Sequence, residues 1–140
     1  KEAEKAYKIG EVPVGAVVFD NDSIISKAHN LAKKNKDPLA HAEILAIKKA
    51  AKKLNTINLS NYKIYSTLEP CLFCSLAISK YFLNIIYFGA YDQKNGSIAN
   101  GAQIFGKNFS GYKPEVIGGI GEEESSKMLK NFFKKIRNKN

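Results

Sequence analysis

The sequence predicts a three-layer α/β/α sandwich built around a mixed central sheet. Two β-branched runs separated by a polar turn, Gly15 to Phe19 and Ile24 to Ala28, are typical of a β-hairpin. After them, helical and strand-like segments alternate along the chain. Such alternation produces parallel strands with covering helices, so we expect antiparallel pairing at one edge of the sheet and helices on both faces.

Each element has a local signal. Gly10 is typical of a helix end, and Asp37 followed by Pro38 is typical of an N-cap and a first helical position. Glu69 and Pro70 indicate another helix start. The predicted elements are, in order, a helix at 1–9, strands at 15–19 and 24–28, a helix at 38–54, a strand at 62–67, a helix at 71–80, a strand at 85–89, a loop at 90–111, a strand at 115–120 and a helix at 122–137.

Length and composition indicate one domain covering residues 1–140. A chain of 140 residues, 44% of them hydrophobic, buries roughly two thirds of its unfolded surface, which is enough for a core without disulfides. No apolar run approaches the roughly 20 residues that span a bilayer, and the 2 cysteines do not form a secreted disulfide framework. We therefore expect a soluble cytoplasmic protein. Because Met128 is the only methionine, we also expect the chain to lack its initiator.

The chain is strongly basic, with 22 Lys and Arg against 13 Asp and Glu and a formal net charge of +9. Every basic residue except Arg137 is lysine, and a genome rich in A and T would by itself enrich lysine, asparagine and isoleucine. No acidic residue follows Glu124, although several basic residues do. A basic end on a basic domain favours a polyanionic partner such as nucleic acid, whereas the alternative is a solvated helix face.

Four residues form the candidate chemical site: His41 and Glu43 in the motif HAE, and Cys71 and Cys74 in the motif PCLFC. One nitrogen and two thiolate sulfurs suit zinc, and three protein ligands leave the fourth position open, as in catalytic zinc sites. Each motif lies behind a proline at a predicted helix start, so we expect the two helix N-termini to converge, where their dipoles favour thiolates. Glu43 is then a proton carrier rather than a ligand.

Each motif by itself has less specific interpretations. A CxxC pair is also typical of a thiol redox pair, half of a structural zinc site or two small buried residues. A histidine near a helix start is commonly a capping or core residue, and a glutamate in a first turn complements the helix dipole. The two motifs together, each behind its own proline, favour catalytic zinc.

The combination of HxE and PCxxC is a signature of zinc nucleobase deaminases. The chain resembles the bacterial tRNA-specific adenosine deaminase family more widely, through the segments EVPVGAVV, HNLAKKNKDPLAHAEILAI, YSTLEPCLFC, FGAYDQKNG and FFKKIR. The resemblance implies a cytidine deaminase-like fold, a Zn2+ cofactor and a homodimer. It also implies hydrolytic conversion of adenosine to inosine at the wobble position of a tRNA anticodon, typically in an arginine tRNA.

The resemblance further implies roles for individual residues. His41, Cys71 and Cys74 would hold zinc, while Glu43 would shuttle protons for a zinc-activated water that attacks the base. Substrate contacts would come from Asn30, Val14 and Gly15 in the base pocket, and from Asp92, Lys94, Phe133 and Arg137 along the RNA. The alternative for Asn30 is a turn residue that closes the second strand, and the alternative for Phe133 is a place in an apolar helix stripe.

The chain departs from the family pattern in two ways. Phe73 stands within PCxxC where the family usually has methionine, and we expect its ring at a subunit interface or the pocket wall. Lysines supply almost all the positive charge, so phosphate contacts would depend on charge more than on bidentate geometry.

Two other functions compete with tRNA deamination. The same zinc site would serve a small-molecule deaminase acting on guanine, cytosine or a nucleoside, but such an enzyme needs no phosphate-binding surface. A catalytically silent zinc-fold subunit that only binds RNA or a partner is the other alternative. The presence of Glu43 argues against it, because such a subunit needs no proton shuttle.

Overall fold

The structure, a computed structural model, describes residues 1–139. Its elements are α1 (Glu2–Lys8), β1 (Gly15–Phe19), β2 (Ile24–His29), α2 (Ala42–Leu54), β3 (Lys63–Leu68), α3 (Leu72–Lys80), β4 (Ile85–Ala90), β5 (Glu115–Ile117) and α4 (Glu122–Lys139). No helix within these residues has both the length and the apolar character needed to cross a membrane.

The five strands form one mixed sheet in the order β2-β1-β3-β4-β5. β1 pairs antiparallel with both β2 and β3, whereas β3, β4 and β5 are parallel. Register places Val18 opposite Ile64, and Ile64 opposite Ile86, so these side chains form one row on the same face. The predicted mixed sheet with an antiparallel edge is confirmed.

The helices cover both faces. α2 and α3 pack on the face that carries the Val18, Ile64 and Ile86 row, and Ile47 and Ile78 complete a fully buried core there. α1 and α4 lie on the opposite face, where α1 contacts β1 and β2 and α4 contacts β3 and β4. These two helices also meet each other, through a T-shaped contact between the rings of Tyr7 and Phe132. The predicted three-layer arrangement is therefore confirmed.

Both site-bearing helices start later than predicted. α2 begins at Ala42 with His41 as its N-cap, rather than at Pro38. The Asp37 carboxylate instead accepts the Leu39 N–H at 2.9 Å, which closes a local turn. Cys71 is likewise the N-cap of α3 and not its first helical residue. The predicted metal ligands therefore lie at the open ends of the two helices.

The last third of the chain also differs from prediction. β5 ends at Ile117 rather than Ile120, because Gly118 and Gly119 follow and Gly119 has a φ of +83° that a strand does not accommodate. The predicted loop after β4 runs through 91–114. In α4, Phe132 is buried whereas Phe133 and Ile136 are exposed, so the predicted apolar stripe packs only in part.

Candidate active site

The ends of two helices form the centre of the site. His41 and Cys71 both have extended backbone angles, with ψ of 153° and 175°, immediately before their helices begin. α2 and α3 pack beside each other on the same sheet face, and their N-termini meet. This is the convergence that the two motifs predict.

Three side-chain atoms lie at the separations that zinc requires. The His41 Nδ1 atom is 3.5 Å from the sulfurs of both Cys71 and Cys74, and the two sulfurs are 3.6 Å apart. A tetrahedral zinc site with Zn–N of about 2.05 Å and Zn–S of about 2.3 Å places N and S about 3.6 Å apart and the two sulfurs about 3.8 Å apart. The donor set therefore fits zinc in both chemistry and spacing, and it provides three ligands.

The local electrostatics favour a charged sulfur. The pKa of the Cys71 thiol is lowered to about 4, first by its hydrogen bond with Cys74 and then by its hydrogen bond with His41. The hydrogen bond to Cys71 also raises the pKa of His41. The positive end of the α3 dipole acts in the same direction, because Cys71 lies at that end of the helix. A thiolate is the form that binds metal.

Glu43 lies beside the ligand cluster without belonging to it. It is the second residue of α2, and its side chain is only 4% exposed. Burial raises the pKa of its carboxyl to about 7. A carboxyl with this pKa both takes up and gives up a proton near neutrality, which is the property that general acid–base catalysis needs.

A cleft of about 770 Å³ opens over these groups. That volume lies within the range of small-molecule sites in proteins. Its lining includes His41, Glu43 and Cys71 together with Val12, Val14, Asn30, Pro38, Leu39, Ala42, Leu68, Glu69, Leu72, Phe73, Asp92 and Asn95. The structure therefore brings Val14, Asn30 and Asp92 to the cleft, and Phe73 forms part of its wall.

The Asn30 side chain forms part of a turn at the edge of the cleft. Its carboxamide oxygen accepts the Ala32 N–H at 3.1 Å, and its amide nitrogen donates to the Val12 carbonyl at 3.3 Å. These bonds use one lone pair and one N–H. One acceptor and one donor remain for a ligand in the cleft, so a turn residue here is also able to hold a base.

The structure places Gly15 differently from the expectation. A Cβ at this position would lie 2.6 Å from both the backbone nitrogen of Ala3 and the Cβ of Glu2. Gly15 therefore faces α1 on the opposite side of the sheet and is not part of the cleft lining. Position 15 therefore requires glycine because α1 packs closely against its backbone, and not because a purine does.

The remaining candidates for RNA contact lie outside the cleft. Lys94 is exposed in the loop after β4, two residues from Asp92. Phe133 and Arg137 are exposed on α4, and Phe133 contacts Phe132 edge-on with ring centroids 5.3 Å apart. None of the three lines the cleft.

Sequence reasoning missed two buried carboxylates beside the cleft. Glu11 accepts the N–H groups of Lys33 and Lys34 at 3.0 and 2.7 Å, which holds the loop that leads to Leu39. Glu69 holds the loop after β4. In the sequence Glu69 is interpreted only as part of a helix start, and nothing near either glutamate in the sequence indicates the backbone N–H groups that lie at least 22 residues further along the chain.

Comparison with known proteins first defines the class. Residues 1–90 match the family described as the cytidine and deoxycytidylate deaminase zinc-binding region, and this range includes all four motif residues. The chain is therefore a zinc-dependent deaminase. A guanine deaminase from Nitrosomonas europaea has the same fold, with a TM-score of 0.77 at 21% identity, covering 93% of this chain and 78% of that one.

Two further comparisons are more specific. A tRNA-specific adenosine deaminase from Rickettsia bellii is 43% identical over 139 residues, which are 98% of this chain and 96% of that protein. A structure from a study of A-to-I editing by tRNA:A34 deaminases at the wobble position matches with a TM-score of 0.88 at 36% identity, covering 91% of this chain and 93% of that one. The chain belongs to the tRNA-specific adenosine deaminase family.

Proposed function

We propose that the protein converts adenosine to inosine at the wobble position of a tRNA anticodon, consuming water and releasing ammonia. The observation that carries the deaminase chemistry is the cluster of His41, Cys71 and Cys74 with the Glu43 carboxyl buried beside it at the base of one cleft. The relatives at 43% and 36% identity support adenosine in tRNA as the substrate.

His41, Cys71 and Cys74 are the residues that would hold zinc. Bound there, zinc would lower the pKa of a water molecule to about 7 and so would supply a nucleophile at neutral pH. Glu43 takes a proton from the water that attacks C6 and transfers it to N1 of adenine, because C6 becomes more electrophilic when N1 is protonated. Glu43 then takes the proton of the hydroxyl group now bonded to C6 and delivers it to the exocyclic amine. The bond between C6 and that nitrogen breaks, ammonia leaves, and the C6 carbonyl of inosine forms.

Other residues of the cleft hold the base. The free donor and acceptor of the Asn30 carboxamide face the purine edge, and Val14 and Leu68 provide apolar surface for the ring. A base in a folded anticodon loop must be turned out of its stack to enter such a cleft, at a cost of a few kcal/mol. Asp92 and Lys94 contact nucleotides beside the target, while Phe133 and Arg137 contact the RNA further away.

We further propose that two copies of the chain form the active protein. Apolar side chains on the outer face of α3 are exposed, with Leu72 at 41%, Phe73 at 59% and Leu76 at 37%. Phe73 also lines the cleft, so a second copy docked on this face would border the substrate. Sedimentation analysis tests this: Phe73→Glu shifts the protein to the monomer, while the matched exposed change Ile57→Glu leaves the dimer intact.

The protein acts in the cytoplasm, where tRNA is modified, and an arginine tRNA is its preferred substrate. The decisive experiment incubates zinc-loaded protein with an anticodon stem–loop of an arginine tRNA that carries a wobble adenosine. Inosine is then measured in digested RNA by mass spectrometry. Stem–loops of other tRNAs, with adenosine placed at the wobble position, test the tRNA preference.

Two outcomes would overturn the proposal. Turnover of free guanine or cytosine in place of the stem–loop would make the protein a small-molecule deaminase. Tight stem–loop binding without any inosine from the zinc-loaded protein would make it a silent RNA-binding subunit.

A further inference from the structure

Glu69 is a buried carboxylate that the reaction does not use. It follows β3 directly, precedes Pro70 and the ligand Cys71, and is 2% exposed. The ion pairs within residues 1–139 join Glu2 to Lys5 and to His29, so no cation compensates Glu69 there. A buried charge without a counter-ion requires strong hydrogen bonding instead.

Five N–H groups of the loop after β4 supply that hydrogen bonding. Oε1 accepts the Asp92 N–H at 3.0 Å and the Asn100 side-chain amide at 2.7 Å. Oε2 accepts the backbone N–H groups of Ile98, Ala99 and Asn100 at 3.1, 2.9 and 3.0 Å. Both oxygens are thus fully used by one loop, and Glu69 connects the start of that loop to its middle.

Gly96 allows this contact. A Cβ at Gly96 would lie 2.5 Å from both Cδ and Oε2 of Glu69, and it would also clash with the Asp92 carbonyl. The backbone of the loop therefore packs directly against the carboxylate, and only glycine fits at this point. The glycine at position 96 is thus a second observation, independent of the hydrogen bonds, that the loop packs against the Glu69 carboxylate.

The loop segment held in this way forms part of the cleft. The Asp92 side chain accepts the N–H groups of Lys94 and Asn95 at 3.1 and 2.9 Å, and Gly96 donates to the Asp92 carbonyl at 2.9 Å. Asp92 and Asn95 both line the cleft that contains His41 and Glu43. Glu69 thus fixes the backbone of this tight turn relative to the helix that carries two of the metal ligands.

We propose that Glu69 is a positioning residue that sets the turn at residues 92–96 to receive the nucleotides beside the target adenosine. This inference rests on the proposed function. It follows that the chemical step depends on Glu43, whereas the affinity for the anticodon loop depends on Glu69 acting through Asp92.

The substitution Glu69→Gln tests the inference at constant side-chain volume. A carboxamide has only one oxygen, so its NH2 group must face either the Asp92 N–H or the three N–H groups at residues 98–100. We expect KM for the stem–loop to rise by about tenfold while kcat stays within about twofold, the pattern of a lost binding interaction. Fluorescence anisotropy should show a matching rise in Kd, and metal analysis should still find one zinc per chain.

Two controls accompany this variant. Glu123→Gln makes the same change of charge at an exposed residue of α4 and should leave KM unchanged. Gly96→Ala should reproduce the rise in KM by displacing the Glu69 carboxylate. Gly106→Ala, where a Cβ meets only the Gln103 carbonyl at 3.2 Å, should not.

The outcomes separate this inference from the proposed function. Glu69→Gln protein that is folded and zinc-loaded but has wild-type KM and Kd would overturn the inference and leave Glu69 a purely structural residue. Loss of zinc, or a fall in kcat at unchanged KM, would also overturn it. If the wild-type protein makes no inosine, the proposed function fails, and the anisotropy comparison still decides whether Glu69 governs RNA binding.

Discussion

At the scale of single residues, replacing Glu43 should abolish most of the deaminase activity without changing the fold or the metal site. Its carboxyl is buried beside His41 and Cys74 but is not one of the three atoms placed to hold metal. Glu43→Gln keeps the shape of the side chain and removes its ability to carry protons. General acid–base catalysis is typically worth about 10² to 10⁴-fold, so we expect kcat to fall by about 10³-fold.

Zinc content and stem–loop Kd are the controls for Glu43→Gln, and both should match the wild type. Single-turnover formation of inosine measures the chemical step directly. A variant that deaminates at the wild-type rate would show that another group carries the protons.

Gly15 provides a second test at the residue scale, because its role in the structure differs from the one implied by the family. Adding a methyl group places a carbon 2.6 Å from the Ala3 nitrogen and the Glu2 Cβ, so α1 must move away from β1. Overpacking of this kind costs about 1 to 3 kcal/mol. We expect Gly15→Ala to lower the free energy of unfolding in urea by that amount.

The kinetics of Gly15→Ala distinguish the two roles. With α1 as the neighbour, kcat and KM of the folded fraction stay close to the wild-type values. A stable protein with a large rise in KM would instead place Gly15 in the substrate pocket. Gly106→Ala is the matched control, since its new carbon contacts a single carbonyl at 3.2 Å.

At the scale of elements, metal should stabilise the junction between α2 and α3. The three ligands come from the N-cap of α2, the N-cap of α3 and the first turn of α3, so one ion ties the two helix ends together. A ligand present at 1,000 times its Kd stabilises the native state by about 4 kcal/mol. Chelation should therefore abolish deamination and lower the melting temperature.

Hydrogen exchange measures where that stabilisation acts. After chelation, we expect faster exchange at the first turns of α2 and α3 and unchanged exchange in β1 and β3. One equivalent of zinc should restore both exchange and activity. Uniform loss of protection over the whole sheet would instead mean that the fold itself depends on the ion.

The misplaced start of α2 shows a limit of local sequence signals at this scale. An aspartate before a proline is favourable as an N-cap, but its carboxylate also accepts the N–H two residues ahead in a tight turn. Here Asp37 forms the turn, and the helix begins only after His41. The sequence patterns predicted that both helices exist, but not where α2 begins. In a helix start and in a tight turn alike, the Asp37 carboxylate accepts the Leu39 N–H, so the local pattern does not distinguish the two.

At the scale of the whole molecule, the sheet and the metal ligands were predictable because their signals are local or carried by distinctive motifs. The alternation after the hairpin predicted the mixed sheet, and the HAE and PCLFC motifs predicted the cluster of His41, Cys71 and Cys74. The role of Gly15 and the contacts of Glu69 depend on segments distant in sequence. Glu69 accepts N–H groups 23 to 31 residues ahead, and no periodic pattern encodes such a pairing.

The net charge of +9 gives a test that involves the entire surface. Binding to RNA phosphates releases counterions, so the logarithm of affinity falls linearly with the logarithm of salt concentration. We expect the stem–loop Kd to rise by about tenfold or more between roughly 50 and 200 mM salt. Zinc content should not change over this range. An affinity that is independent of salt would exclude a substantial phosphate contact and favour a small-molecule substrate.

The distribution of that charge decides whether the basic end of α4 binds RNA or is only a solvated face. Lys134 and Arg137 are exposed and close in sequence to the exposed ring of Phe133, whereas Lys48 and Lys52 are exposed along α2. α2 has 13 residues and is therefore about 20 Å long, so Lys48 lies halfway along it and Lys52 lies in its last turn, far from the cleft at His41. Lys134→Glu with Arg137→Glu should weaken stem–loop binding by about tenfold and flatten the salt dependence.

The matched control is Lys48→Glu with Lys52→Glu, which lowers the net charge by the same amount. If only the long-range field matters, the two double variants lose affinity equally and keep similar salt slopes. If α4 contacts phosphate directly, only the α4 variant shows a weaker dependence of affinity on salt. Each phosphate contact that is lost reduces the number of counterions released on binding. Equal behaviour of the two variants would therefore show that the basic end of α4 is a solvated face and that RNA recognition is confined to the cleft and the turn held by Glu69.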